Sequence, residues 1–278
     1  MKLSIWSSYY NDLTIEEAVE RLLKNGIRCT ELSDEHGAEL LGRSDDVLAT
    51  ARQFADFIKE REFDIPQGHL WLRIKICSDN TAMEQLFRWV DMYEAIGIKN
   101  MVLHCDNMTG STLSREEKVE RNIQELRRLA DHIAEKDITI CLENLRPHSP
   151  EEAVSDLIDA TIDDLLYIID RIGSDRFGIC LDTGHLNLTV KNHREFILKA
   201  GNKLKALHIA DNEGLGRDQH MMPFARGNID FVDVVAALRE VGYDGLYNLE
   251  ISGERLIPME LRDAKIAYIQ ACYDYLMK

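Results

Sequence analysis

The stretch "FGICLDTGHLNLTV", residues 177 to 190, opens with a run that reads as a buried strand, closes it on the carboxylate of Asp182, and places His185 three positions later. Short apolar runs bounded by turn signals are the pattern of strands covered on both faces, as in parallel sheets flanked by helices. Working outward from residue 177, the same unit recurs in both directions. Strand-like runs occupy 3 to 6, 28 to 32, 63 to 70, 101 to 105, 138 to 143, 177 to 182, 204 to 209 and 246 to 251. Amphipathic helix patterns lie between them at 14–26, 44–61, 80–97, 114–136, 161–173, 192–201 and 230–242, and another closes the chain at 258–278. Thr14 with Glu17 forms a capping-box signal, Asp230 is placed as an N-cap, and Gly26, Gly97, Gly173, Gly201 and Gly242 stand where helical periodicity stops. Only a helical crossover returns a chain to begin another parallel strand. Eight strand-helix units in 278 residues therefore predict an α/β fold closed as a (β/α)₈ TIM barrel, one domain over residues 1–278. The alternative is a doubly wound open sheet, whose GxGxxG signal is absent after the first strand.

Composition narrows the function classes. The chain is 45% hydrophobic, enough for a large core, and carries 33 Lys and Arg against 49 Asp and Glu, a formal net charge of −16. That balance disfavours a nucleic-acid surface and leaves small polar substrates open. The six cysteines, Cys29, Cys77, Cys105, Cys141, Cys180 and Cys272, are dispersed without CxxC spacing and read as reduced core thiols. No stretch approaches the roughly 18 apolar residues of a membrane span, and the first ten residues carry no apolar leader core, so a cytoplasmic protein is expected.

In a (β/α)₈ barrel the C-terminal strand ends converge on one mouth. Here their last polar residues are His69, His104, Glu143, Asp182, His208 and Glu250. A single such histidine needs only a hydrogen-bond partner in a core. Three carboxylates facing one small mouth would repel one another unless a cation neutralised them, so the pattern asks for a metal. Asp182 would be a ligand, and Thr183-Gly184 would turn the chain outward so that His185 faces the same cavity; the bland counterpart is a helix-capping Asp with a solvent-facing His. Oxygen-rich ligands with one imidazole favour Mn²⁺, Mg²⁺ or Co²⁺, with Zn²⁺ also admissible. After the seventh strand, Asp218 and His220 bracket one residue and would share a face, while Arg217 and Arg226 are the nearby cations for a sugar hydroxyl or phosphate. Trp6 and Trp71 are placed to stack on a sugar or to pack the core.

These residues carry a resemblance. "LENL" with Glu143, "LDTGHLNL" with Asp182 and His185, "LHIADN" with His208, "DQH" with Asp218 and His220, "GNIDF", and "LEISGE" with Glu250 resemble the xylose isomerase-like barrels over essentially the whole chain. That superfamily holds sugar isomerases and epimerases as well as endonuclease IV-type repair enzymes. The resemblance implies one divalent ion on Glu143, Asp182, His208 and Glu250. It also implies a sugar or sugar phosphate substrate with an oxygen contacted by His185; His69, His104, Asp218, His220, Arg226 and Trp6 are the further candidates to surround it. One departure stands out: where many members have Pro-Gly-Glu-Gly or Pro-Gly-Lys-Gly, this chain reads "PFARG", with Ala225 and Arg226 at the usual Gly and Glu or Lys.

The expected reaction is isomerisation or epimerisation through a cis-enediolate, in which Glu143 and Glu250, by resemblance, remove and return a proton on opposite faces. The alternative is a zinc phosphodiesterase acting on abasic DNA, for which the chain offers a residue at each place of the longer ligand set. Against it stand the acidic segments at 33–39, 148–156 and 211–216, which would repel a polyanion. An inositol-pathway lyase and a non-catalytic metal- or sugar-binding barrel complete the field. Pairing of copies is expected on the family's habit alone.

Overall fold

Each of the eight apolar runs becomes a parallel strand in the computed structural model, which describes residues 1–147 and 152–278: β1 (Lys2–Ile5), β2 (Cys29–Leu32), β3 (Asp64–His69), β4 (Asn100–Leu103), β5 (Thr139–Glu143), β6 (Phe177–Asp182), β7 (Leu204–His208) and β8 (Leu246–Leu249). Strands β2 to β7 form a continuous parallel ladder in sequence order, and β1 pairs with β8. The gap between β7 and β8 is bridged by backbone bonds, with the Ile209 N–H donating to Asn248 O at 2.8 Å and the Glu250 N–H to Ile209 O at 3.1 Å. Along the β1–β2 seam the bonds run through side chains instead. The Thr30 hydroxyl donates to Ile5 O at 2.6 Å, the Cys29 thiol to Leu3 O at 3.1 Å, and the Ser33 N–H to Ser7 Oγ at 2.8 Å. The cylinder is closed as expected.

Around it lie α1 (Ile15–Lys24), α2 (Asp34–Leu41), α3 (Val47–Glu60), α4 (Ala82–Ile96), α5 (Arg115–His132), α6 (Ile162–Ile172), α7 (Thr183–Leu188), α8 (His193–Ala200), α9 (Phe231–Glu240) and α10 (Met259–Leu276). The Thr14–Glu17 capping box and the Asp230 cap both form. Two helices exceed the eight expected among the described residues. Residues 33–39, read from sequence as an acidic loop, begin α2, where Ser33 caps the backbone of His36 and Asp34 and Glu35 sit at the positive end of the helix dipole. Residues 183 and 184, read as a turn, begin α7. Both helices are too short to show a hydrophobic period. Of the acidic segment 148–156, residues 148–151 lie outside the described residues.

The barrel interior explains where the chemistry sits. Val102, Cys141, Cys180 and Ala206 form a small buried cluster of their own, apart from the main core between strands and helices. Side chains two residues apart on a strand share a face. Two positions beyond these four come His104, Glu143, Asp182 and His208, one layer nearer the mouth. On the other side of the cylinder the lower layer is polar: Ser4, Glu31, Gln67 and Asn248 are buried there, joined by Ser4 Oγ donating to Asn248 Oδ1 at 2.8 Å and Gln67 Nε2 donating to Glu31 Oε2 at 2.6 Å. Beyond this half come His69 and Glu250. All six cysteines are free, and Cys141 packs one layer below Glu143. No helix of the described residues is long and apolar enough to cross a membrane.

Candidate active site and metal centre

Glu143, Asp182, His208 and Glu250 arrive from four strand ends and present one ligand atom each within 4.8 Å of one another. His208 Nδ1 stands 3.2 Å from both Glu143 Oε1 and Glu250 Oε2. Three atoms of the quartet, Asp182 Oδ2, His208 Nδ1 and Glu250 Oε2, are buried with no hydrogen-bond partner among the described residues. Buried polar atoms are almost always satisfied. Three unsatisfied acceptors converging in one place fit a divalent cation, and three carboxylates with one imidazole are the donor set of a hard or borderline ion. Cys180 also lies within reach of Glu143 and His208. Burial pushes its thiol well above the usual range, which makes it a poor ligand.

Asp182 is the helix cap considered from the sequence, with one oxygen to spare. Its Oδ1 accepts the His185 N–H at 2.6 Å and caps α7, while Oδ2 is left for the cavity. The cap aims His185 inward. Its Nδ1 lies 3.3 Å from Glu143 Oε1 and its Nε2 donates to Asp218 Oδ2 at 3.1 Å. Glu143 is ringed by imidazoles, with His104 Nε2 at 2.9 Å and His69 Nε2 at 3.4 Å from its Oε2. Burial alone would raise the Glu143 carboxyl, but His208 and His104 hold it well below the ordinary range. Glu250 goes the other way. Burial, reinforced by the charges of Asp182 and Glu143, pushes it up to about 8.

Asp218 and His220 do share a face. Asp218 Oδ2 accepts from His220 Nε2 at 3.0 Å and lies 3.2 Å from Arg146 Nε. His220 reaches this position with φ +43°, a left-handed conformation uncommon outside glycine, and its Nδ1 donates to Glu250 O at 2.8 Å. Trp6 lies parallel to the His220 ring at 6.2 Å and donates its indole N–H to Ile251 O at 2.9 Å. A hollow of about 540 Å³ opens above these groups, lined on its inner side by Trp6, His104, Glu143, His185, His220 and Glu250. Trp71 packs against the core instead. Arg217 and Arg226 are exposed, and Arg226 lines a separate groove with Met222 and Lys265 rather than this hollow. The cations that line the hollow are Arg146, three residues after Glu143, and Arg73 and Lys75, from the segment after β3.

Glu31 was not among the residues singled out from the sequence. It is fully buried on β2, accepts from His208 Nε2 at 3.0 Å and from Gln67, and also accepts the side-chain amide of Asn248. A carboxylate holding one imidazole nitrogen leaves the other lone pair free for a metal. One signal was available: a glutamate inside a short strand has no solvent and needs a buried partner.

A family model described as xylose isomerase-like TIM barrel matches residues 19–272. D-psicose 3-epimerase of Enterocloster bolteae is 30% identical over 130 residues, 47% of this chain and 39% of that protein. A probable endonuclease 4 of Mycoplasmopsis agalactiae is 25% identical over 156 residues, 52% of each chain. The chain thus spans about half or less of the length of these curated relatives. The crystal structure of D-psicose 3-epimerase with D-tagatose from Clostridium cellulolyticum H10 superposes with a TM-score of 0.80 at 14% identity, covering 100% of both chains, a likeness of fold. On a match that runs through all but the ends of its length, the chain belongs to the xylose isomerase-like TIM barrel family.

Proposed function

We propose that the protein is a divalent-metal-dependent isomerase or epimerase of a ketose or ketose derivative, with Glu143 and Glu250 as the proton-transferring pair. The observation that carries this reading is the pair itself: two glutamates face one imidazole nitrogen, and their surroundings push their proton affinities apart. Such divergence is how acid and base roles are set in one cavity. Glu143, Asp182, His208 and Glu250 would hold the ion, which when bound supplies the positive charge that acidifies a proton beside a ketose carbonyl. Glu143, kept ionised by its imidazoles, is suited to accept that proton. Glu250 is suited to return one to the planar enediolate. His185, held charged against burial by Asp182 and by its bonds to Asp218 and Glu143, would place a positive charge beside a substrate oxygen. His220 and Trp6 would form the side wall that excludes water.

The test is exchange of a ketose C–H with deuterated water, followed by mass spectrometry with manganese present. Positioned acid and base groups contribute about 10²- to 10⁴-fold, so Glu250→Gln should lose at least a hundredfold in exchange rate. Exchange at the wild-type rate in that variant ends the assignment. A second reading is favoured by one specific grouping: His69, His104 and Glu143 could hold a further ion beside the first. That would suit phosphodiester hydrolysis, and cleavage of an abasic duplex with no exchange on any ketose would establish it.

A further inference from the structure

From the distribution of charge in the hollow we infer that the substrate carries an anionic group, a phosphate or a carboxylate, at the end remote from its reacting carbons; this rests on the reading above. The hollow is polarised. Its carboxylates, Glu143, Glu250 and Asp218, lie at the floor, where their side chains are no more than 9% exposed. The charged side chains on its outer lining are Arg73 and Lys75, from the segment after β3, and Arg146, from the segment after β5. Acids outnumber bases three to two over the whole chain, so an all-cationic rim is a local reversal.

The partners of these cations sharpen the point. Arg146 is held over the cavity by Asp218, and its Nε is buried without a hydrogen bond. Arg73 and Lys75 are exposed and make no ion pair with any described residue, whereas Arg43, Arg115, Arg171 and Arg194 are each matched to a carboxylate. The neighbouring hollow across Trp6 and His220 is lined by two acids, Glu35 and Glu254, and one base, Arg255, so charge is mixed on that side and basic on this one. A substrate with hydroxyl and carbonyl oxygens at one end and a negative charge at the other enters in one orientation only. Its polar end goes to the floor, and its anion stays with Arg73, Lys75 and Arg146.

The experiment is calorimetric titration of the manganese-loaded protein with three unreactive open-chain ligands: a pentitol, its terminal phosphate and the corresponding aldonate. At least one anionic ligand should bind tenfold or more tighter than the pentitol. The phosphate and aldonate arms show which anion is meant. In the Arg73→Gln/Lys75→Gln double variant the preference should fall to threefold or less, and in the wild type it should weaken with salt because the two cations are solvent-exposed. Equal binding of neutral and anionic ligands overturns the inference, as does failure of all three to bind. A preference that survives the double variant overturns it too, since the ion alone would then explain it. Deuterium exchange on neutral and anionic ketoses separates the two claims. Exchange without preference for the anionic ketose sinks this inference alone, whereas anion-selective binding with no exchange sinks the catalytic assignment alone.

Discussion

Replacing Glu31 by glutamine is the sharpest test of the proposed metal centre, because Glu31 is fully buried one layer beneath the residues proposed to hold the ion. Its two oxygens face donors only: His208 Nε2 on one side, Gln67 and Asn248 on the other. An amide has a single oxygen. However the new side chain turns, one donor set meets an N–H, and a charge-assisted bond to His208 becomes a neutral one or is lost. Partners of this kind typically change metal affinity by about 10- to 100-fold. Taking about thirtyfold, and metal at about 100 times the wild-type Kd, the stabilisation from binding falls from about 2.7 to about 0.9 kcal/mol. For a chain of this size that corresponds to a metal-induced rise in Tm shrinking from about 5 °C to about 2 °C. The assay is thermal unfolding of stripped and reloaded protein, with chelator competition giving Kd directly. A Kd within threefold of wild type would show that Glu31 does not orient His208 for a metal and would refute the reasoning.

Further outcomes follow from the same geometry. Burial pushes Asp159 up to about 7. Between about pH 4 and 7 the folded chain therefore holds a proton that the unfolded chain has lost, and stability declines as pH rises through that window, becoming flat above it. Asp159→Asn should remove this decline, its gain in stability growing by about 1.4 kcal/mol per pH unit up to 7, and a pH-independent difference in denaturant midpoints would contradict the assignment. At Gly253 an added Cβ would stand 1.7 Å from the Tyr9 carbonyl oxygen, so Gly253→Ala must displace the backbone beside Trp6, with a cost of about 1–3 kcal/mol expected by urea unfolding.

The strand ends were legible because each chemical residue closes an apolar run, and such runs leave one register for a parallel strand. Glu143, Asp182, His208 and Glu250 could thus be placed at one mouth from the sequence. Glu31 could not, since it lies one layer down on a strand whose last residue is Leu32, and its partners Gln67 and Asn248 are far away in the chain. Arg146 was overlooked for a different reason: it follows Glu143 in "LENLRP", where an arginine reads as a solvated loop charge, and its ion pair with Asp218 is made only by the fold. Arg226 was attractive by its place in "PFARG", but that segment faces another groove. Helices α2 and α7 escaped because one or two turns cannot display a period.

The seam between β1 and β2 has a dynamic consequence. Seven of the eight joints of the cylinder are laced by backbone amides, and the eighth is fastened by a threonine, a cysteine and two serines. Transient parting there breaks few bonds, so amide protons of Leu3, Ile5 and Cys29 should trade with solvent before those of β5 and β6. The two staves that part carry Trp6 and Glu31, so this breathing would loosen the wall and the foundation of the same cavity together.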